Sequence, residues 1–157
     1  MLKESEIRIF SSEQNTDLPL LPVYSGIKAG FPSPADNYSA DYIDLNKELI
    51  QNPASTFFGI VDGDSLVDMG VREGSLVIID RSLEAQNGSL VVCYIDGEFT
   101  MKYVEFRDQE IWLLPANEKY KPIRLTEENH VMIWGVVTRC ILDMRKKGGK
   151  NVRSRRL

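Results

Sequence analysis

Ser89-Leu90-Val91-Val92-Cys93-Tyr94-Ile95-Asp96-Gly97-Glu98-Phe99-Thr100-Met101-Lys102-Tyr103-Val104 is two apolar, β-branched and aromatic runs joined by Asp-Gly. Asp-Gly between such runs predicts a two-residue hairpin, because the favoured turn needs positive φ at both central residues, which Gly tolerates and Asp accepts. Alternation along the second run puts Thr100, Lys102 and Val104 on one face and Phe99, Met101 and Tyr103 on the other. The hairpin therefore carries one cation among bulky apolar neighbours, and the same pattern of short strands extends away from it in both directions.

Upstream, residues 56–61 lead into Asp62-Gly63-Asp64, and residues 75–80 form a nearly continuous apolar run that reads as a strand buried on both faces. Residues 66–71 suggest one helical turn. Downstream, residues 111–114 and 131–139 complete the strand set. Residues 42–50 read as a short helix with Asp44 as N-cap and Asn52-Pro53 as its stop. Short strands with turn signals at close intervals predict a mainly β fold, twisted and partly closed, with one short helix. Residues 1–29 read as an extended N-terminal arm, of which residues 6–10 alternate enough for a short strand. Two glycines in Tyr24-Ser25-Gly26-Ile27-Lys28-Ala29-Gly30 let that stretch stay extended and enter a narrow cleft. A stiff junction, Phe31-Pro32-Ser33-Pro34, follows it.

With 157 residues and 43% hydrophobic content the chain can bury one sizeable core, so one β domain is expected over residues 30–145. The net charge of −4 hides an asymmetry, because the last thirteen residues hold seven of the nineteen Lys and Arg and no acid. Twelve bases then face twenty-three acids in the remainder, a net charge of −11. Such a body is a poor candidate for sequence-specific DNA binding. The basic tail, residues 146–157, reads as solvated and disordered.

Cys93 and Cys140 both lie in apolar runs and are expected to be buried free thiols. One histidine, His130, and no close cysteine pair make a metal site improbable, and no cofactor is expected. The first six residues lack the apolar core of a signal peptide, and no apolar run approaches the ~18 residues of a membrane span. A cytosolic protein without a membrane anchor is the expectation.

Ser65 in Gly63-Asp64-Ser65-Leu66 sits between turn residues and an apolar run, where a hydroxyl can stand open beside backbone amides. Serine needs a base, and lysine can replace histidine in that role. Keeping a lysine of ordinary pKa, about 10.4, neutral at pH 7 costs about 4.6 kcal/mol, so such a base must be buried among apolar groups. Taken by themselves, the residues fit an exposed strand lysine better than a buried base, and Gly-Asp-Ser fits an ordinary turn.

Three separated motifs in order alter that balance: Ala29-Gly30-Phe31-Pro32-Ser33-Pro34-Ala35-Asp36, Gly63-Asp64-Ser65-Leu66 and Gly97-Glu98-Phe99-Thr100-Met101-Lys102. Together with Tyr42-Ile43-Asp44-Leu45-Asn46, Leu114-Pro115-Ala116-Asn117 and Trp134-Gly135-Val136-Val137, they resemble the self-cleaving serine-lysine peptidases of the LexA and UmuD type, UmuD more closely, over residues 18–144. The resemblance implies the LexA/UmuD C-terminal peptidase fold. It implies Ser65 as nucleophile, Lys102 as general base, Ala29-Gly30 as the scissile bond, and backbone amides of Ser65 and Asp64 as oxyanion donors. It further implies a homodimer, activation by a RecA filament on single-stranded DNA, and a trimmed form that works with a UmuC-type translesion DNA polymerase in SOS mutagenesis. Leu66 stands where the family usually has methionine, a volume-conserving change. The arm is longer than in the UmuD type, and it lacks the helix-turn-helix of a LexA-type repressor. The competing reading is a non-proteolytic polymerase or DNA-repair scaffold of the same fold. A third is a peptidase acting in trans.

Overall fold

The Asp96-Gly97 turn forms as its residues require: both have positive φ, 49° and 91°, and the register closes with Ile95 opposite Glu98. The computed structural model describes residues 6–11, 21–23, 41–63, 70–115 and 120–146. In chain order these form β1 (Glu6–Ser11), β2 (Leu21–Val23), β3 (Asp41–Ile43), α1 (Leu45–Leu49), β4 (Thr56–Asp62), β5 (Leu76–Asp80), β6 (Leu90–Ile95), β7 (Glu98–Arg107), β8 (Glu110–Leu114), β9 (Ile123–Arg124) and β10 (Val131–Ile141). Eight strands make one antiparallel sheet in the order β1-β4-β5-β10-β6-β7-β8-β9, and β2 pairs with β3 apart from it.

The sheet curls until its first strand meets its sixth: Glu6 of β1 pairs with Thr100 of β7. That single pair does not close the sheet into a barrel, so the mainly β fold with one short helix is as expected while the partial closure expected from strand spacing goes no further than this contact. The curl depends on β10, which pairs with β6 along one half and with β5 along the other. Its register shifts between Ile133 and Gly135 and again between Val137 and Arg139, and such bulges sharpen bend and twist. Gly135 suits the first shift, since a Cβ there would lie 2.7 Å from Ile79 Cγ2.

Two apolar clusters lie on opposite faces of the β6–β7 hairpin. Ile7, Val61, Val71, Val77, Ile79, Val92 and Met101 form one, with Phe99, Tyr103 and Trp134 packed against it. Val91, Cys93, Val104 and Leu113 form the other. Alternation therefore sorts the hairpin as expected, with Met101 and Val104 in different layers. The continuous apolar run of β5 is buried on both faces, since Val77, Ile78, Ile79 and Asp80 are all inaccessible.

The structure corrects several expectations. The helix begins at Leu45, because the Asp44 carboxylate accepts from the amides of Asn46 and Lys47 and fixes the cap there. Tyr42 and Ile43 are instead strand residues paired with β2. Cys140 is exposed, because β10 has one open side at that point, whereas Cys93 is buried as expected. The strand near the N-terminus is part of the main sheet, with Ile7 in its core. The short β9 was not anticipated. The helical turn expected over residues 66–71 lies, Gly70 and Val71 apart, outside the described residues, as does the tail beyond Lys146. Among the described residues no helix is long and apolar enough to cross a membrane.

Candidate active site

Lys102 sits mid-strand in β7 opposite Val91, with Cys93 opposite Thr100 on the same face. Only 5% of its surface is accessible, and its neighbours Val91, Cys93 and Val104 are fully buried. The exposed-strand reading that residue preferences favoured is therefore overturned: the cation points into a layer, not into solvent. The Lys102 Nζ donates to Thr100 Oγ1 at 3.4 Å, two residues back on the same face.

Cys93 reports the same environment. Burial pushes its thiol up to about 12, and the positive charge of Lys102 pulls the other way. Cys93 is thus a neutral packing residue and not a competing nucleophile. His130 is exposed just before β10, and Val131 connects through Ile95 to Glu98, about 13 Å along β7 from Lys102 by strand rise. It is not placed to serve as the base.

Ser65, Asp64, Ala29 and Gly30 lie outside the described residues. Their flanks are informative for the first two. β4 ends at Asp62, and Gly63 takes φ 99°, a left-handed conformation that a side chain would resist. Glu6 of β1 pairs with Asp62 on one side and with Thr100 on the other. The residue three before Ser65 and the residue two before Lys102 therefore flank one strand position, each about 5 Å from it by sheet spacing. Asp62 and Thr100, nearly forty residues apart in the chain, thus lie on either side of β1.

A second polar cluster escaped sequence reasoning. Asp80, 4% exposed at the end of β5, accepts from Asn52 Nδ2 at 2.7 Å, Ser55 Oγ at 3.0 Å, and Ser82 through its amide at 2.8 Å and its hydroxyl at 2.6 Å. Burial pushes the carboxyl up, but these hydrogen bonds together hold it below its ordinary value. The cluster ties the turn at Pro53–Ser55 to β5 and so fixes where β4 starts. An acid closing an apolar run, with Asn and Ser nearby, was the available signal. A hollow of about 230 Å³ beside it, lined by Glu48, Leu49, Asp80, Leu83 and Arg139 among others, does not include Lys102.

Among the described residues no three metal-ligating side chains converge. What the described residues offer is amine chemistry: a buried lysine on a strand.

Comparison with known proteins shows which family the chain resembles. The family model described as Peptidase S24-like matches residues 22–138. Protein MucA of Salmonella typhimurium is 35% identical over 140 residues, covering 88% of this chain and 95% of that protein. Protein SamA of Salmonella typhimurium is 43% identical over 110 residues, covering 70% of this chain and 76% of that protein. A LexA repressor from Stenotrophomonas maltophilia is 36% identical over 116 residues, which is 74% of this chain but only 54% of the repressor.

Proposed function

Because the chain belongs to the Peptidase S24-like family, we propose that it is a UmuD-type SOS-mutagenesis protein that cuts its own backbone between Ala29 and Gly30. Lys102, as the free amine, takes the proton from Ser65 Oγ while that oxygen attacks the Ala29 carbonyl carbon. The resulting oxyanion is met by backbone N–H groups of Ser65 and Asp64. Collapse expels the Gly30 amine, which receives its proton from the Lys102 ammonium, and leaves Ala29 as an ester on Ser65. Water, activated by the same lysine, then hydrolyses that ester. The products are residues 1–29 ending in a carboxylate and residues 30–157 beginning with a free amine.

The observation that supports this reading best is the burial of Lys102 on a strand whose Thr100 shares the partner Glu6 with Asp62. A sharp bend at the scissile bond suits Ala29 and Gly30, which bring little or no side chain. The reaction needs no metal or cofactor. In the cell the protein acts in the cytoplasm as a homodimer. A RecA filament on single-stranded DNA favours the cleavage-competent docking of the arm, and the trimmed form serves a UmuC-type translesion polymerase. A rarely populated docked state would keep the uninduced chain inert, and a partner binding that state would raise its share.

The test is intact mass of the purified protein after incubation from neutral to alkaline pH, beside Ser65→Ala and Lys102→Ala. The expected result is a fragment starting at Gly30, forming faster as pH rises because a lysine base works only unprotonated, and absent from both variants. No fragment at any pH, with or without a RecA filament, would turn the reading to a non-proteolytic scaffold. A Ser65→Ala chain that is cut by an active second copy would show cleavage in trans.

A further inference from the structure

We propose that the β domain carries a strand-binding groove along the edge of β4 opposite β5, and that its occupant, the chain's own Glu6–Ser11 segment, stays seated after the backbone is cut on its C-terminal side. The register is complete: six consecutive pairs run from Glu6 opposite Asp62 to Ser11 opposite Phe57. Ile7 is 6% exposed and belongs to the main apolar cluster with Val61, Val77 and Met101. An arm that merely rested on the surface would not contribute a core residue.

The groove is also shaped for that residue. Gly59, in the middle of β4, has no side chain where Ile7 lies. A Cβ there would collide with Ile7 Cδ1, approach its Cγ1 to 2.7 Å and come within 3.1 Å of Val77 Cγ2. Gly59 is thus a notch in the β4 strand, floored by Val77 and filled by Ile7, with Ile9 packed beside it. At the end of the groove Glu6 bridges to Thr100, the hydrogen-bond partner of Lys102.

The ligand class follows: an extended peptide with a β-branched apolar residue for the notch and another two positions on, pairing backbone to backbone with β4. Residues 6–11 satisfy that pattern and are on the spot. If the chain is cut at Ala29-Gly30, as the proposed function requires, this strand becomes a peptide held without a covalent link. It then continues to cover the β4 edge, which would otherwise offer unpaired N–H and C=O groups and an opened core to other chains. The groove itself does not depend on that cut.

The test nicks the chain independently of its own chemistry. A recognition sequence for a site-specific protease is inserted between Asn15 and Thr16 in full-length Ser65→Ala protein, and the cut product is weighed under denaturing and native conditions. Two fragments under denaturing conditions and one complex of the summed mass under native conditions are expected. Ile7→Asp, whose change lies on the departing piece, should lower the retained fraction at least tenfold, and Gly59→Val should do so from the other side. A labelled peptide of residues 1–15 should exchange into the nicked complex, and the same peptide with Ile7→Asp should not. Departure of the fragment on nicking, or equal retention of the Ile7→Asp fragment, overturns the proposal. Wild-type protein run in parallel, at neutral to alkaline pH and with a RecA filament, separates the two readings: absence of a Gly30 fragment under all of these conditions, with retention in the nicked variant, would reject the self-cleavage and leave the groove standing.

Discussion

Replacing Lys102 by methionine separates chemistry from folding. The lysine stem lies among Val91, Cys93 and Val104, which are 0%, 0% and 1% exposed, so the site is a largely apolar layer in which the Lys102 Nζ hydrogen-bonds Thr100 Oγ1. Methionine follows the stem's path and leaves no cavity, while removing the only group proposed to accept the Ser65 proton. Loss of a positioned general base costs about 10²–10⁴ in rate, or about 3–5 kcal/mol of transition-state stabilisation. A buried cation is weakly stabilising at best, so its replacement by an apolar group should leave stability unchanged or raise it by about 1 kcal/mol. For a domain of this size that is an unfolding temperature the same or about 2–4 °C higher. The assay pairs intact-mass kinetics with thermal unfolding of the same samples. Lys102→Arg is the informative control, since it keeps the charge, cannot lose a proton and overfills the layer, and it should be both inactive and less stable by about 1–3 kcal/mol. The reasoning fails if Lys102→Met cleaves within tenfold of wild type. It also fails if that variant loses more than about 2 kcal/mol, for then the ammonium is holding the sheet together and its burial says nothing about catalysis.

The remaining predictions concern the scaffold. Because Cys93 is buried with its thiol pushed up to about 12, while Cys140 is exposed, a thiol reagent should modify one cysteine per native chain and two per unfolded chain. The sulfur of Cys140 is itself partly desolvated, which raises its pKa against the pull of a Ser75 hydrogen bond. Its modification should therefore start below the rate of a free thiol at neutral pH and climb on raising the pH. Asp80 has its carboxyl held low, so its stabilisation is present above the unfolded value, about 3.9, and is lost as pH falls through the folded value. Asp80→Asn should cost roughly 2–4 kcal/mol in urea unfolding at neutral pH, and the gap from wild type should narrow in strong acid; a gap independent of pH would refute the clamp. Gly135→Ala should destabilise by about 1–3 kcal/mol, since its Cβ would sit 2.7 Å from Ile79 Cγ2 at the bulge that bends β10; an unchanged unfolding midpoint would show that β10 adapts freely there.

Local rules were enough for the hairpin, the β5 run and the Asp44 cap, because each depends on residues within a few positions of one another. Asp96-Gly97 selects its turn by φ alone, and Asp44 reaches amides only two and three residues ahead. The start of α1 was misjudged for a non-local reason: Tyr42 and Ile43 have a periodicity compatible with a helix, but β2, some twenty residues earlier in the chain, offers them strand hydrogen bonds. Cys140 was misjudged similarly, since an apolar run does not say which side of a bulged strand is covered.

The sequence by itself supplied the candidate residues for the chemistry, and its three ordered motifs pointed to the family, because residue type and spacing carry that information directly. It also determined that Lys102 and Val104 share a face, a matter of alternation alone. Whether that face is wet or dry was decided only by the tertiary structure. Burial of Lys102 requires Val91 and Cys93 to lie across from β7 and Leu113 to pack into the same layer, and no local pattern contains those partners. The same holds for β1. Its six residues look like a surface strand when read alone, and they become part of the core because Gly59, about fifty residues away in the chain, leaves a space that Ile7 fills.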